Sequence, residues 1–245
     1  MSLLKIASVA CIALTLGACQ SLFQPNWRTP LEATRDTTEQ TRPGCASADC
    51  ALVNIDTVHF AKDPKLDALI EQRLLEMTGA NPLPTSLESY REQFLKTAAP
   101  SNSMYLQAKV REQHDGLVII ELSSYLDQGA THGEPGRAFI NYSRQQQKAL
   151  SLTDMLLPGK EDAFWKAAQV AHNSWLISTR LSLEPEFVKT YPFQKTPNVA
   201  LTYGGVVLKY PTTTIAPYAL GHVELQIPYS RLEGILKPEL VPARR

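Results

Sequence analysis

The stretch that most constrains this chain is Leu117-Val-Ile-Ile-Glu-Leu-Ser-Ser-Tyr125, which follows directly on Asp115-Gly116. Asp-Gly suits a two-residue hairpin, because both central positions take positive φ. Residues 104–114 alternate before it, with Leu106, Ala108 and Val110 on one face, so residues 104–125 predict two antiparallel strands. The Val118-Ile-Ile120 run does not alternate. A strand of that composition is buried on both faces, near the middle of a sheet. A Gly-rich loop follows, Gly129-Ala-Thr-His-Gly133 and Glu134-Pro-Gly-Arg137, and a further strand closes it, Ala138-Phe-Ile-Asn-Tyr142. The elements before this stretch are expected to pair with it, and those after it to pack on it.

The rest of the chain supplies both kinds of element. Residues 51–60 predict a strand with Val53, Ile55, Val58 and Phe60 apolar. Asp63-Pro64 is a helix start, with Asp as N-cap and Pro in the first turn. Leu66, Leu69, Ile70, Leu74 and Met77 recur at helical spacing until Gly79. A second helix is expected from Thr85, with Glu88 completing a capping box. Residues 160–181 predict the longest helix, with Phe164, Ala168, Ala171 and Trp175 on one stripe. Strands are expected at 198–203 and 206–210 around Gly204-Gly205, and at 222–227. Residues 184–197 are expected to be irregular and the tail 238–245 loose. Helices and strands in separate runs, joined by tight hairpins, predict an α+β fold: an antiparallel sheet with helices packed on it.

The N-terminus points to a compartment. Lys5 precedes an apolar run over residues 6–16, too short to span a bilayer but suited to a signal peptide. Leu16-Gly17-Ala18-Cys19 resembles a bacterial lipobox, which implies a signal peptide over residues 1–18 and acylation of Cys19. Gln20 follows the cysteine instead of Asp, which by the sorting rule of diderm bacteria points to the outer membrane, periplasmic face. Residues 19–50 predict a lipidated tether, rich in Thr, Gln, Arg, Asp and Pro. Within it, Cys45 and Cys50 predict a small disulfide loop in an oxidising compartment, and no nearby ligand supports a metal site. Lys+Arg and Asp+Glu are 24 each, so no global basic excess points to nucleic acid.

Few residues suggest chemistry. His132 sits among glycines, where backbone can approach a ligand closely. Its simpler role is to bond loop backbone and fix the turn. His172 falls beside an apolar helical stripe and predicts a packing histidine. No zinc-protease, nucleophile-elbow or phosphate-loop motif occurs. Neither a cofactor nor catalysis is expected. Tyr203 and Tyr210 flank a hairpin and suggest an aromatic surface for glycan stacking.

Three stretches resemble one family. Tyr125 with Gly129-Ala-Thr-His-Gly133 is similar to its Tyr…Gly-Gly-Ala-His loop, with Ala130-Thr131 in place of Gly-Ala. Asn141-Tyr142 with Leu150-Ser-Leu-Thr-Asp-Met155 resembles its Asn…Leu-x-Leu-x-Asp segment. Ile215-Ala-Pro-Tyr218, Gly221 and Ile227-Pro-Tyr-Ser-Arg-Leu232 resemble its C-terminal signature. This is the RsiV-type extracytoplasmic domain of the DUF3298 group, expected over residues 126–237. Residues 51–125 resemble the PdaC-type companion part (DUF4163). The resemblance implies binding without turnover, the partner being a lysozyme-type or endogenous muramidase that the ectodomain senses or inhibits. Binding of peptidoglycan is the alternative, and a cell-wall hydrolase or deacetylase around His132 a remoter one. Tyr125, Gly129, His132, Gly133, Asn141 and Tyr218 are the candidate binding residues.

Overall fold

The computed structural model describes residues 26–27 and 29–242. The signal peptide, Cys19 and the last residues of the tail lie outside the described residues. The fold is α+β, with two sheets and five α-helices among the described residues. The larger sheet has six strands in sequence order: β1 (Thr34–Thr41), β2 (Leu52–His59), β3 (Ser103–His114), β4 (Leu117–Asp127), β5 (Glu134–Ser143) and β6 (Lys148–Ala149). The smaller is antiparallel: β7 (Val199–Thr202), β8 (Gly205–Lys209) and β9 (Glu224–Ile227). Helices α1 (Pro64–Glu76) and α2 (Leu87–Thr97) connect β2 to β3. The short α3 (Leu152–Met155), the long α4 (Glu161–Ser178) and α5 (Pro185–Thr190) precede the smaller sheet.

The central strand is the one the sequence marks. Asp115 and Gly116 both take positive φ, 45° and 83°, and turn β3 into β4. Along β4 the side chains alternate between two cores. Val118, Ile120 and Leu122 enter a core with Leu66, Ile70 and Leu74 of α1. Leu117 and Ile119 enter another with Phe164 and Ala168 of α4 and the small sheet. The unbroken apolar run is thus the price of separating two cores. A boundary at 125/126 therefore has no structural counterpart, because it falls within β4, which pairs with β3 on one side and β5 on the other.

Several expectations need correction. Residues 34–41 are not tether: they form β1, paired antiparallel with β2 from Thr34↔His59 to Thr41↔Leu52. Seven of its eight residues are exposed, so no apolar alternation betrays it. Threonine-rich backbone still extends readily, because β-branched side chains suit a strand. Further upstream, Leu31 exchanges two hydrogen bonds with the Gln113 side chain, and Arg144 lies over the Trp27 ring. The larger sheet is not wholly antiparallel: β2 and β3 run parallel, as the intervening helices allow. The second helix is capped by Ser86, whose hydroxyl accepts from Ser89 N–H, one residue after the expected cap. Residues 185–190 are helical, with Pro185 in the first turn. The Cys45–Cys50 disulfide is present between β1 and β2, and Asp63 caps α1 as expected.

His172 faces inward on α4, 2% exposed, between the rings of Trp175 and Phe193. Neither ring nitrogen has a hydrogen-bond partner among the described residues. Burial pushes its pKa below 6.5, so the folded state favours the neutral ring. Below about pH 6.5 the unfolded chain then binds the proton more readily, and stability falls as pH drops. Burial lowers the His222 pKa in the same way, so melting temperature should decline as pH falls below about 6.5, and His172→Phe should remove the His172 share of that decline. An unchanged slope in the variant would assign the acid sensitivity elsewhere.

Candidate functional site

The face of β4 that carries Leu117 and Ile119 changes character along the strand. After these come Glu121, Ser123 and Tyr125. The smaller sheet covers the first two and stops at Glu121. Beyond it, among the described residues, the face is only partly covered: Tyr105 is exposed, and Gln107, Ser123, Tyr125 and Arg137 are half-buried.

What ends the covered half is a charged border. Glu121 accepts from Lys209 of β8 through Oε1 and from Arg111 of β3 through Oε2 at 2.8 Å. Lys209 also reaches Glu224 of β9 at 2.9 Å, and Arg111 reaches the same carboxylate at 3.2 Å. Burial would raise the Glu121 pKa, but its two cations more than offset this and hold it low. Deeper in the covered half, Asn141 joins the sheets. Its amide donates to Val199 C=O at 2.6 Å and accepts from Leu201 N–H at 2.7 Å. His114 Nε2 lies 2.8 Å from Leu201 C=O, a second link between the sheets.

Strand register places two rows of side chains across the open half. One runs Thr37, Asp56, Gln107, Ser123, Arg137. The next runs Glu39, Asn54, Tyr105, Tyr125, Pro135. Several are held in place. Asp56 accepts from Arg35 at 2.6 and 2.9 Å, from Thr37 and from Gln107. The Arg35 hydrogen bonds hold its pKa low despite burial. Asn54 donates to Glu39 at 2.7 Å. The Tyr105 and Tyr125 rings stand 6.3 Å apart, and Tyr105 is 40% exposed. Between these groups and Arg137 lies a shallow pocket of about 190 Å³.

Two loops close one end. The His132 ring stacks on Tyr218, centroids 4.8 Å apart and 17° between planes. Tyr218 Oη donates to Gly133 C=O at 3.4 Å. Tyr125 lies across Gly133, where a Cβ would overlap its ring. That explains this glycine by close approach.

Four of the six candidate residues therefore meet at one place: Tyr125, His132, Gly133 and Tyr218. Gly129 lies in the same loop, at φ 77°, with its N–H bound to Asp127. Asn141 is buried and committed between the sheets, which makes it structural instead of ligand-facing. His132 is held by an aromatic ring, where a backbone hydrogen bond was expected. Of the hairpin tyrosines only Tyr203 is exposed; Tyr210 is buried and donates to Gln194 C=O. Sequence reasoning did not single out Asn54, Asp56, Tyr105, Gln107 or Arg137. Their alternation opposite Val53, Ile55, Leu106 and Ala108 was visible, but whether that second face is covered is a tertiary fact. A larger cleft of about 500 Å³, lined by Tyr203, Tyr229, Leu232, Leu236, Pro238 and Val241, is more apolar and gathers fewer polar groups. Among the described residues, no group of three or more His, Cys, Asp or Glu side chains is arranged to hold a metal.

Two sheets joined by buried polar links define an α+β scaffold. Residues 153–230 match the family model described as "Protein of unknown function (DUF3298)". The crystal structure of a DUF3298 family protein from Pseudomonas aeruginosa PAO1 is 57% identical, with TM-score 0.88, over 89% of this chain and 100% of that one. The chain belongs to the DUF3298 family. A family member from Bacteroides fragilis shares the fold at 18% identity and TM-score 0.66, over 85% of this chain and 94% of that one. No curated protein matches the chain.

Proposed function

We propose that this protein is an envelope lipoprotein whose folded part is a non-catalytic binding module, and that its partner is a muramidase of the lysozyme type, sensed or inhibited at the open sheet face. One observation carries the reading. The tyrosine of the family's C-terminal signature, Tyr218, and the histidine of its Gly-rich loop, His132, are distant in sequence yet stack at the end of that face. Exposed tyrosines and an arginine beside ordered polar groups are the side chains that dominate protein interfaces. The RsiV-type resemblance supplies the partner.

Calorimetric titration with hen lysozyme is the test, at moderate and at raised salt, because a basic protein attracts carboxylates non-specifically and salt screens that attraction. The expected result is one-to-one binding that survives the salt, with affinity lost in Tyr218→Ala. Binding that vanishes with salt would overturn the muramidase partner.

Anchoring is proposed through acylated Cys19, on the periplasmic face of the outer membrane. Among the described residues no helix is long and apolar enough to cross a membrane. Intact mass of the mature protein should show acyl chains on Cys19, and an unmodified mature form would refute the anchor. A second reading, binding of the wall glycan itself, is favoured by the Tyr105–Tyr125 pair beside Asn54 and Gln107, since flat rings and planar amides suit sugar faces and hydroxyls.

A further inference from the structure

Charge is unevenly satisfied around the open face. Asp56, which lines the pocket, and Glu121 at the border are both paired with cations, and Glu39 beside the pocket accepts from Asn54. Asp56 takes Arg35, Thr37 and Gln107, and Glu121 takes Lys209 and Arg111. Arg137 is different. It is only partly exposed, and no carboxylate lies within ion-pair distance of it among the described residues. Its Nη1 donates to Gly136 C=O at 2.7 Å and to Ser124 C=O at 3.5 Å. Burial pulls its pKa down, with only partial relief from Glu121. A guanidinium has five donors in a planar fork that matches a carboxylate, and an unmatched one is costly to keep out of water.

The other groups in the pocket point to what carries that carboxylate. Gln107 and Asn54 each donate one amide N–H, to Asp56 and Glu39 respectively. Their amide oxygens are left as acceptors, which suit hydroxyl and acetamido N–H donors. Ser123 stands beside Gln107 in the same row. Tyr105 and Tyr125 supply flat apolar faces at the rim. About 190 Å³ suits one sugar ring, below the usual size of a drug-like site.

We infer that this pocket is a subsite for a carboxylate-bearing sugar, with the carboxylate on Arg137, the ring against Tyr105 and Tyr125, and its hydroxyl or acetamido donors on Gln107 and Asn54. The inference rests on the open face being a binding surface, and it commits to an acidic sugar whether free, in a wall strand, or held by a partner enzyme.

The test is amide NMR titration of the purified protein with N-acetylmuramic acid, N-acetylglucosamine and glucuronic acid. N-acetylmuramic acid should shift amides of β3, β4 and β5 around the pocket. N-acetylglucosamine, which lacks the carboxylate, should bind roughly tenfold or more weakly, the usual worth of a charge-assisted hydrogen bond. Arg137→Gln should abolish the difference between the two sugars, with the melting temperature unchanged. Tyr105→Ala, at an exposed position, should weaken both equally and serves if the arginine variant does not fold. Glucuronic acid bound as tightly as N-acetylmuramic acid would support the broad acidic-sugar class, and weaker binding would narrow it to the lactyl-bearing amino sugar. Equal affinity for the acidic and neutral sugars, or a preference that survives Arg137→Gln, would overturn the subsite. Salt-resistant lysozyme binding with no acidic-sugar binding would overturn the subsite alone; the reverse pattern would overturn the muramidase partner alone.

Discussion

Replacing Asn141 by alanine is expected to destabilise the protein by about 2–5 kcal/mol, because two buried backbone groups lose a side-chain partner at once. Val199 C=O and Leu201 N–H both turn to the Asn141 amide, and the residue is 3% exposed. Water has no ready access to replace it. For a folded region of this size the melting temperature should fall by roughly 5–15 °C. Asn141→Leu, which restores volume without hydrogen bonds, should be nearly as damaging. If the leucine variant melted like the wild type, packing and not hydrogen bonding would hold the sheets together here. The prediction also separates stability from recognition. Asn141 was a candidate binding residue, yet its side chain joins β5 to β7 and is buried.

The second large effect is expected at the charged border. Glu121→Gln should cost about 3 kcal/mol, the lower part of the range for breaking a buried ion pair, since Glu224 still serves both cations. Lys209 is 8% exposed, so its charge cannot simply turn to solvent. Glu121→Leu combined with Lys209→Met should recover most of the loss, because removing both charges removes the cost of keeping them dry. Denaturant titration of the single and double variants measures this, and a double variant less stable than the single one would mean that the network is worth more than its desolvation cost. The depressed Glu121 pKa makes the same point against pH. Its contribution is fully present above the unfolded carboxylate value near 4.5, and it is lost as pH falls through the lower folded value. The loss through His172 begins at higher pH, so acid should weaken the protein in two stages.

Much of the fold was legible where local chemistry and tertiary environment agree. The Asp115-Gly116 turn, the Asp63 cap with Pro64, and the long helix through Phe164 and Ala168 follow from backbone preference and apolar spacing. β1 was not legible. Its side chains are almost all in water, and what places it is the ladder to β2 and the Arg35–Asp56 pair, neither of which has a periodic signature. The parallel pairing of β2 and β3 was hidden for a related reason. Two helices between strands permit either a crossover or a return, and only docking against α1 and α2 chooses.

The candidate site divides along the same line. The loop glycines, His132 and Tyr218 were marked by residue type, and the fold brings His132, Gly133, Tyr125 and Tyr218 together. Arg137, Tyr105 and Gln107 read as ordinary polar positions of amphipathic strands. The sequence by itself determined that β4 needs cover on both faces, because four consecutive apolar side chains cannot all avoid water on one side of a strand. Only the tertiary structure decided how far that cover reaches. The small sheet ends at Glu121 because its own β8 and β9 end there in Lys209 and Glu224, whose charges close the border. Past that point the same strand turns its polar side chains to an open face, and a strand's alternation is identical whether that face meets water, a second sheet or a ligand.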